Sequence, residues 1–240
     1  MKIEIIRDPY GEGFNTCRRK EIDIKPGITV LTSCNGGGKS TAIKCIKENL
    51  KNRNINFISY DDYYDGGHNS ISKNFGIGNY VMGATLMSSS RGEKININIA
   101  EFINTIKYYI EFGESPKRRL FSFEDDKKEE IKSNERWILF DDIDAGYSID
   151  NMIDFIDLLN IIQDSCKDSK LELYIIISSN SFELCRNFRC IDVMEGIEVS
   201  FDTYEKFKKF TLRSREKKDN KFKKLAEKEK KEKEKWKVHR

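Results

Sequence analysis

The chain has 240 residues, of which 38% are hydrophobic and 35% charged, with 43 Lys/Arg against 40 Asp/Glu. That is enough apolar side chain for one sizeable core but not for two independent catalytic domains. No run approaches the ~18 apolar residues of a membrane span, and Glu4 and Asp8 stand where a secretion signal would be apolar, so neither membrane insertion nor secretion is expected and a cytoplasmic location is.

Six cysteines without a CxxC pair are expected to be reduced thiols, and two histidines without paired His/Cys spacing argue against zinc. Charge is unevenly spread: residues 204–240 hold 17 Lys/Arg and 7 Asp/Glu, leaving 26 against 33 for residues 1–203. The division expected is a body, 1–203, and a basic Lys/Glu-rich helical tail, 204–240. The tail lacks Gly and Pro and is built of helix formers. It reads either as a solvated helix or as a basic arm for phosphate backbones or an acidic partner.

In chain order, β-rich runs fall at 2–6, 21–24, 28–32, 55–60, 137–140, 171–178 and 191–194, and helical patterns at 40–51, 93–112, 149–163 and 182–187. The charged stretch 114–136, with Pro116 and little periodicity, reads as a loop or insertion. The runs Ile138-Leu-Phe-Asp-Asp142 and Leu173-Tyr-Ile-Ile-Ile-Ser178 are unbroken by alternation, as suits strands buried on both faces of a parallel sheet. The fold class expected is α/β, with a mostly parallel sheet flanked by helices, an N-terminal antiparallel β portion and a charged C-terminal helix. Its ligand site should lie at the carboxyl ends of the strands.

Residues 28–41 run from a strand through Ser33-Cys-Asn-Gly-Gly-Gly-Lys-Ser-Thr41 into a helix, the context of a phosphate-binding P-loop. Asn35, Gly36, Gly37 and Gly38 would let backbone N–H groups turn toward a triphosphate at the helix N-terminus. Lys39 should reach the β- and γ-phosphates, Ser40 should coordinate Mg²⁺ and Thr41 should lie nearer the α-phosphate. The usual opening glycine is Ser33 here, tolerable if its φ stays negative. The strand ending in Asp141-Asp142 is a Walker B pattern, with Asp141 on the Mg²⁺ and Asp142 placed to polarise an attacking water. Two acids at a strand end could also form a solvated turn, a reading that the P-loop disfavours.

The P-loop segment resembles the GxNGxGKST form of ATP-binding-cassette ATPases, including the SMC, RecF and OLD-type heads. Ser89-Ser-Arg-Gly-Glu-Lys94 is similar to that family's LSGGEK signature, with Ser90 and Gly92 at the matching serine and second glycine and Arg91 replacing the first glycine. The same segment also reads as a helix N-cap. Residues 143–150 resemble the D-loop, with Ser148 for the usual Asp. Ser179-Asn-Ser181 resembles the switch segment, with Asn180 replacing histidine. The only Gln is Gln163, so the Q-loop ligand is missing and Asp61 or Asp62 would substitute. Tyr10 or Phe14 is placed to stack on adenine, or equally to pack in the core. Ser33, Arg91, Asp142 and Asn180 all depart from the family at the phosphate end.

The resemblance covers residues 1 to about 200 and implies a small stand-alone ATPase. It would use ATP and Mg²⁺, close as a head-to-head homodimer around two ATPs, and switch a nucleic-acid-related partner or a separate effector or nuclease chain. With Asp142 short and Asn180 unable to gain a proton near neutral pH, slow hydrolysis is expected. The alternatives are a transporter's nucleotide-binding subunit, a P-loop kinase for a small molecule, and a non-hydrolysing structural switch.

Overall fold

The computed structural model describes residues 1–5, 17–61, 65, 67–114, 133–144 and 147–238. Two short strands, β1 (Lys2–Glu4) and β2 (Glu21–Asp23), pair antiparallel with Ile3 opposite Ile22. In each, only the central isoleucine is buried, so this small sheet has one apolar face.

The main sheet is built from β3 (Gly27–Thr32), β4 (Phe57–Asp61), β5 (Glu135–Asp141), β6 (Glu172–Ser178), β7 (Arg189–Asp192) and β8 (Ile197–Val199), in the spatial order β4-β5-β6-β3-β7-β8. All neighbours are parallel except β7 and β8. Consecutive residues of its central strands enter opposite cores. Trp137, Leu139, Tyr174 and Ile176 face one way, into a core with Ile3, Ile22 and the helix α1 (Lys39–Asn52). Ile138, Phe140, Ile175 and Ile177 face the other. This two-sided burial accounts for the unbroken apolar runs, and a fully buried side chain such as Phe140 contributes about 1.5–3 kcal/mol.

The second core is roofed by α4 (Arg91–Phe112), α5 (Ile149–Ser165) and α6 (Phe182–Asn187), through Ile95, Ile99, Tyr109, Phe155, Leu159 and Leu184. Between β4 and α4 lie α2 (Gly67–Gly76) and α3 (Tyr80–Ser88), which pack on each other and on α4. The final helix, α7, runs from Tyr204 to Val238. Phe207 of its first turn is buried in the second core, edge-on to Phe201 at 5.2 Å, and Phe210 lies 4.9 Å from the same ring.

The α/β class, the mostly parallel sheet, the antiparallel N-terminal pair and the charged final helix agree with the sequence expectation. Several boundaries differ. Residues 135 and 136, expected in the loop 114–136, begin β5; of the rest of that stretch, 115–132 lie outside the described residues. Arg136 can enter the sheet because its guanidinium donates to the carbonyls of Ser133 (2.7 Å), Ile110 (3.1 Å) and Glu135 (3.2 Å). The strand expected at 191–194 runs over Arg189–Asp192, and Val193 turns away after its N–H meets Thr32 O at 3.0 Å. Helices α2 and α3 and strand β8 are additions. Among the described residues no helix is long and apolar enough to cross a membrane.

Candidate functional site

The loop Ser33–Gly38 joins β3 to α1 at the carboxyl edge of the parallel strands. Gly36 (φ 70°) and Gly38 (φ 94°) adopt left-handed backbone that side chains disfavour. Among the described non-glycine residues only Asn54 and Asp142 have positive φ, so Ser33 keeps ordinary angles in the place usually held by glycine. Its hydroxyl donates to Cys34 O at 3.0 Å, an acceptor shared with the Gly37 N–H, also 3.0 Å away. Helix α1 opens at Gly38 without a side-chain cap, and its first turn carries Lys39, Ser40 and Thr41.

The strand order places β6 between the loop strand β3 and the acid-bearing strand β5. Across that gap Ser40 Oγ donates to Asp141 Oδ1 at 3.2 Å, joining residues 101 apart in sequence. Ser178, at the end of β6, donates to the same carboxylate oxygen and accepts the Asp142 N–H at 3.0 Å. Asp141 is buried, whereas Asp142 is exposed and sits at φ 55°, which Asp tolerates better than most residues.

Asp144 forms a second junction. Its Oδ2 accepts Ser179 Oγ (2.8 Å) and Asn180 N–H (2.7 Å), fixing the turn after β6. From that turn the Asn180 side-chain N–H donates to Asn35 Oδ1, while Asn180 Oδ1 is buried without a hydrogen-bond donor among the described residues. Lys218 of α7 reaches Asn35 from the other side, its Nζ 2.8 Å from Asn35 O.

Half-buried Lys39 has its pKa lowered by desolvation, opposed first by Asp144 and then by the Cys34, Asp142 and Asp141 groups. Burial raises the Cys34 thiol against the opposing pull of Lys218, Lys39 and Arg215. All six cysteines are free and buried.

The fold thus brings Asn35, the three glycines, Lys39, Ser40, Asp141, Asp142 and Asn180 to one edge of the sheet. Ser90 and Gly92 lie at the start of α4, where Ser90 caps the helix. Its Oγ accepts the Glu93 N–H at 3.3 Å and Glu93 Oε2 accepts the Ser90 N–H at 2.7 Å. Ser148 caps α5 in the same way, accepting from Asn151 N. Asp61 ends β4 directly opposite Asp141 in register, with its N–H on Asp65 Oδ2 at 3.0 Å. Asp62, Tyr10 and Phe14 lie outside the described residues.

Sequence reading missed Asp144, Ser178 and Lys218. Asp144 is the third acid of Asp141-Asp-Ile-Asp144, and Ser178 is the first hydroxyl after an apolar strand, so both carried a faint signal. Lys218 carried none, being one lysine among many.

A divalent cation fits the Ser40–Asp141 pair. Their oxygens are 3.2 Å apart, near the about 2.9 Å between adjacent ligands of an octahedral Mg²⁺ with bonds of about 2.0–2.1 Å. Among the described residues no group of three or more His, Cys, Asp or Glu could hold a metal by itself, so such an ion would need phosphate oxygens and water to complete it. No protein-family model matches the chain, and no curated protein matches it.

Proposed function

We propose that this chain binds ATP with Mg²⁺ at the Ser33–Thr41 loop, hydrolyses it slowly, and closes as a homodimer around two nucleotides, as its resemblance to cassette-type ATPases implies. The observation that carries the reading is the 3.2 Å approach of Ser40 Oγ to Asp141 Oδ1. A glycine loop that served only as a turn would have no reason to aim its helix-opening hydroxyl at a buried carboxylate on a non-adjacent strand.

Other features support the assignment. The uncapped first turn of α1 leaves N–H donors for phosphate oxygens, and Lys39 stands in that turn. Ser40 and Asp141 would hold a Mg²⁺ ion, whose charge would offset that of the phosphates. Asn180 Oδ1, lacking a donor, suits a water proton, and Asp142 stands at the strand end where a base would work. Both are weaker groups than Glu and His, hence slow turnover. Asp61, level with Asp141, is the residue best placed to take over from the missing Gln.

Ser90 is compatible with a contact across a dimer. In its capping role the hydroxyl accepts a hydrogen bond, which leaves its own O–H to donate to a partner's γ-phosphate beside Gly92. The biological output would be a conformational switch for a nucleic-acid-related partner, or for a separate effector chain, with the basic end of α7 as one contact.

Light scattering with and without Mg-ATP, beside calorimetric titration, tests the proposal. Wild-type protein should bind Mg-ATP and double its mass, and Lys39→Ala should do neither. Absence of ATP binding by the wild type would overturn the reading; binding by a persistent monomer would remove Ser90 and Gly92 from it.

A further inference from the structure

Helix α7 presents one inward stripe at helical spacing: Phe207, Thr211, Ser214 and Lys218 are each buried or half-buried, and the stripe continues through half-buried Lys221 and Leu225. Phe207 anchors the stripe in the core and the buried Ser214 lets the helix lie close to the body. One helical turn further on, Lys218 meets the phosphate loop. Its Nζ is 2.8 Å from Asn35 O and 3.5 Å from where a Cβ on Gly36 would stand. Neighbouring Lys217 fixes the register by pairing with Glu195 at 2.7 Å, and Glu195 also takes Arg18 at 3.4 Å.

The surroundings of the two loop cations differ. Lys39 has Asp141, Asp142 and Asp144 acting on it. Lys218 has no carboxylate within ion-pair distance among the described residues, and its one recorded hydrogen bond uses one of three N–H donors on a neutral carbonyl. Lys218 thus holds spare charged N–H donors at the rim of the same loop that carries Lys39. The inward stripe therefore brings a cation to the loop without a carboxylate within ion-pair distance among the described residues.

We infer that Lys218 is a second cationic ligand for the phosphates of the nucleotide, contributed by the basic helix, so that α7 is a component of the nucleotide site. This rests on the phosphate-loop reading above. On phosphate binding the ammonium adds one or more charge-assisted hydrogen bonds, and α7 is held to the loop more firmly when the site is filled.

The test is calorimetric titration of Mg-ATP into full-length wild type, Lys39→Ala, Lys218→Met and Lys218→Arg, with a thermal melt of each. Lys218→Met keeps the apolar stem and loses the charge. It should weaken ATP binding at least about tenfold, while Lys218→Arg keeps most of the affinity. Wild-type binding that is lost in Lys39→Ala but unchanged in Lys218→Met overturns this assignment alone. A wild type that does not bind ATP overturns the phosphate-loop reading and this inference with it. If Arg at this position binds as poorly as Met and both melt early, Lys218 is a structural tie and the assignment is wrong.

Discussion

The hydroxyl of Ser33 occupies the space that a Cβ on residue 37 would need: the two would lie 2.2 Å apart, and Cys34 O would be 2.8 Å away. Gly37 is thus glycine for want of room, unlike Gly36 and Gly38, whose positive φ requires it. Ser33 and the Cys34 carbonyl together leave no room for a Cβ at residue 37.

Gly37→Ala should therefore destabilise the protein by about 1–3 kcal/mol, the usual range for overpacking. Ser33→Gly alone should cost less than about 1 kcal/mol. Combining them should return part of the Gly37→Ala loss, since Ser33 Oγ and Cβ are removed and only the Cys34 carbonyl remains close. Urea denaturation of the four proteins measures the coupling. Strictly additive costs would show that the Ser33–Gly37 contact is not what constrains residue 37.

Asp144 should govern the turn after β6. In Asp144→Ala, Ser179 Oγ and the Asn180 N–H lose their shared acceptor, and Ser179 is fully buried. The expected loss is about 1–3 kcal/mol, with faster hydrogen exchange at the Asn180 amide. Asp144→Asn, which keeps an acceptor oxygen, should lose less. Unaltered exchange at Asn180 in the alanine variant would mean that the turn is held by other groups.

Tyr109 offers a test independent of nucleotide. Its hydroxyl donates to Asn56 O at 2.6 Å and accepts the Trp137 N–H at 2.9 Å, fastening α4 to the residue before β4 and to the start of β5. Tyr109→Phe strands the buried Trp137 donor and should cost about 1–3 kcal/mol near neutral pH. Burial pushes the phenol up to about 12 from 10.0. Above pH 10 the unfolded chain releases this proton while the folded one keeps it. The wild type should therefore lose about 2–3 kcal/mol between pH 10 and 12 relative to Tyr109→Phe. Parallel stability curves for the two proteins over that range would contradict the assignment.

Legibility in the sequence followed physical type. Strands β5 and β6 announce themselves because two-sided burial demands uninterrupted apolar residues, and the glycines of the loop because backbone geometry demands them. Helices α2 and α3 were silent. Tyr80, Val81 and Met87 of α3 are exposed, and Gly83 is a contact residue whose Cβ would come within 2.9 Å of Phe75, so no amphipathic period marks α3. Arg136 read as loop because its compensation comes from backbone carbonyls, which leave no trace in composition. The role of Asp144 depends on the ends of β5 and β6 lying side by side, and that of Lys218 on a helix returning over the loop from 183 residues away. Pairings made by topology are invisible to a linear scan.

Helix α7 continues for 20 residues beyond Lys218, to Val238. At about 1.5 Å per residue that is about 30 Å of rod past its contact with the loop. A tilt of roughly 10° about Lys218 would carry the far end about 5 Å, by the same helical geometry. A change of tilt where α7 meets the loop would therefore be largest at the far end of the helix.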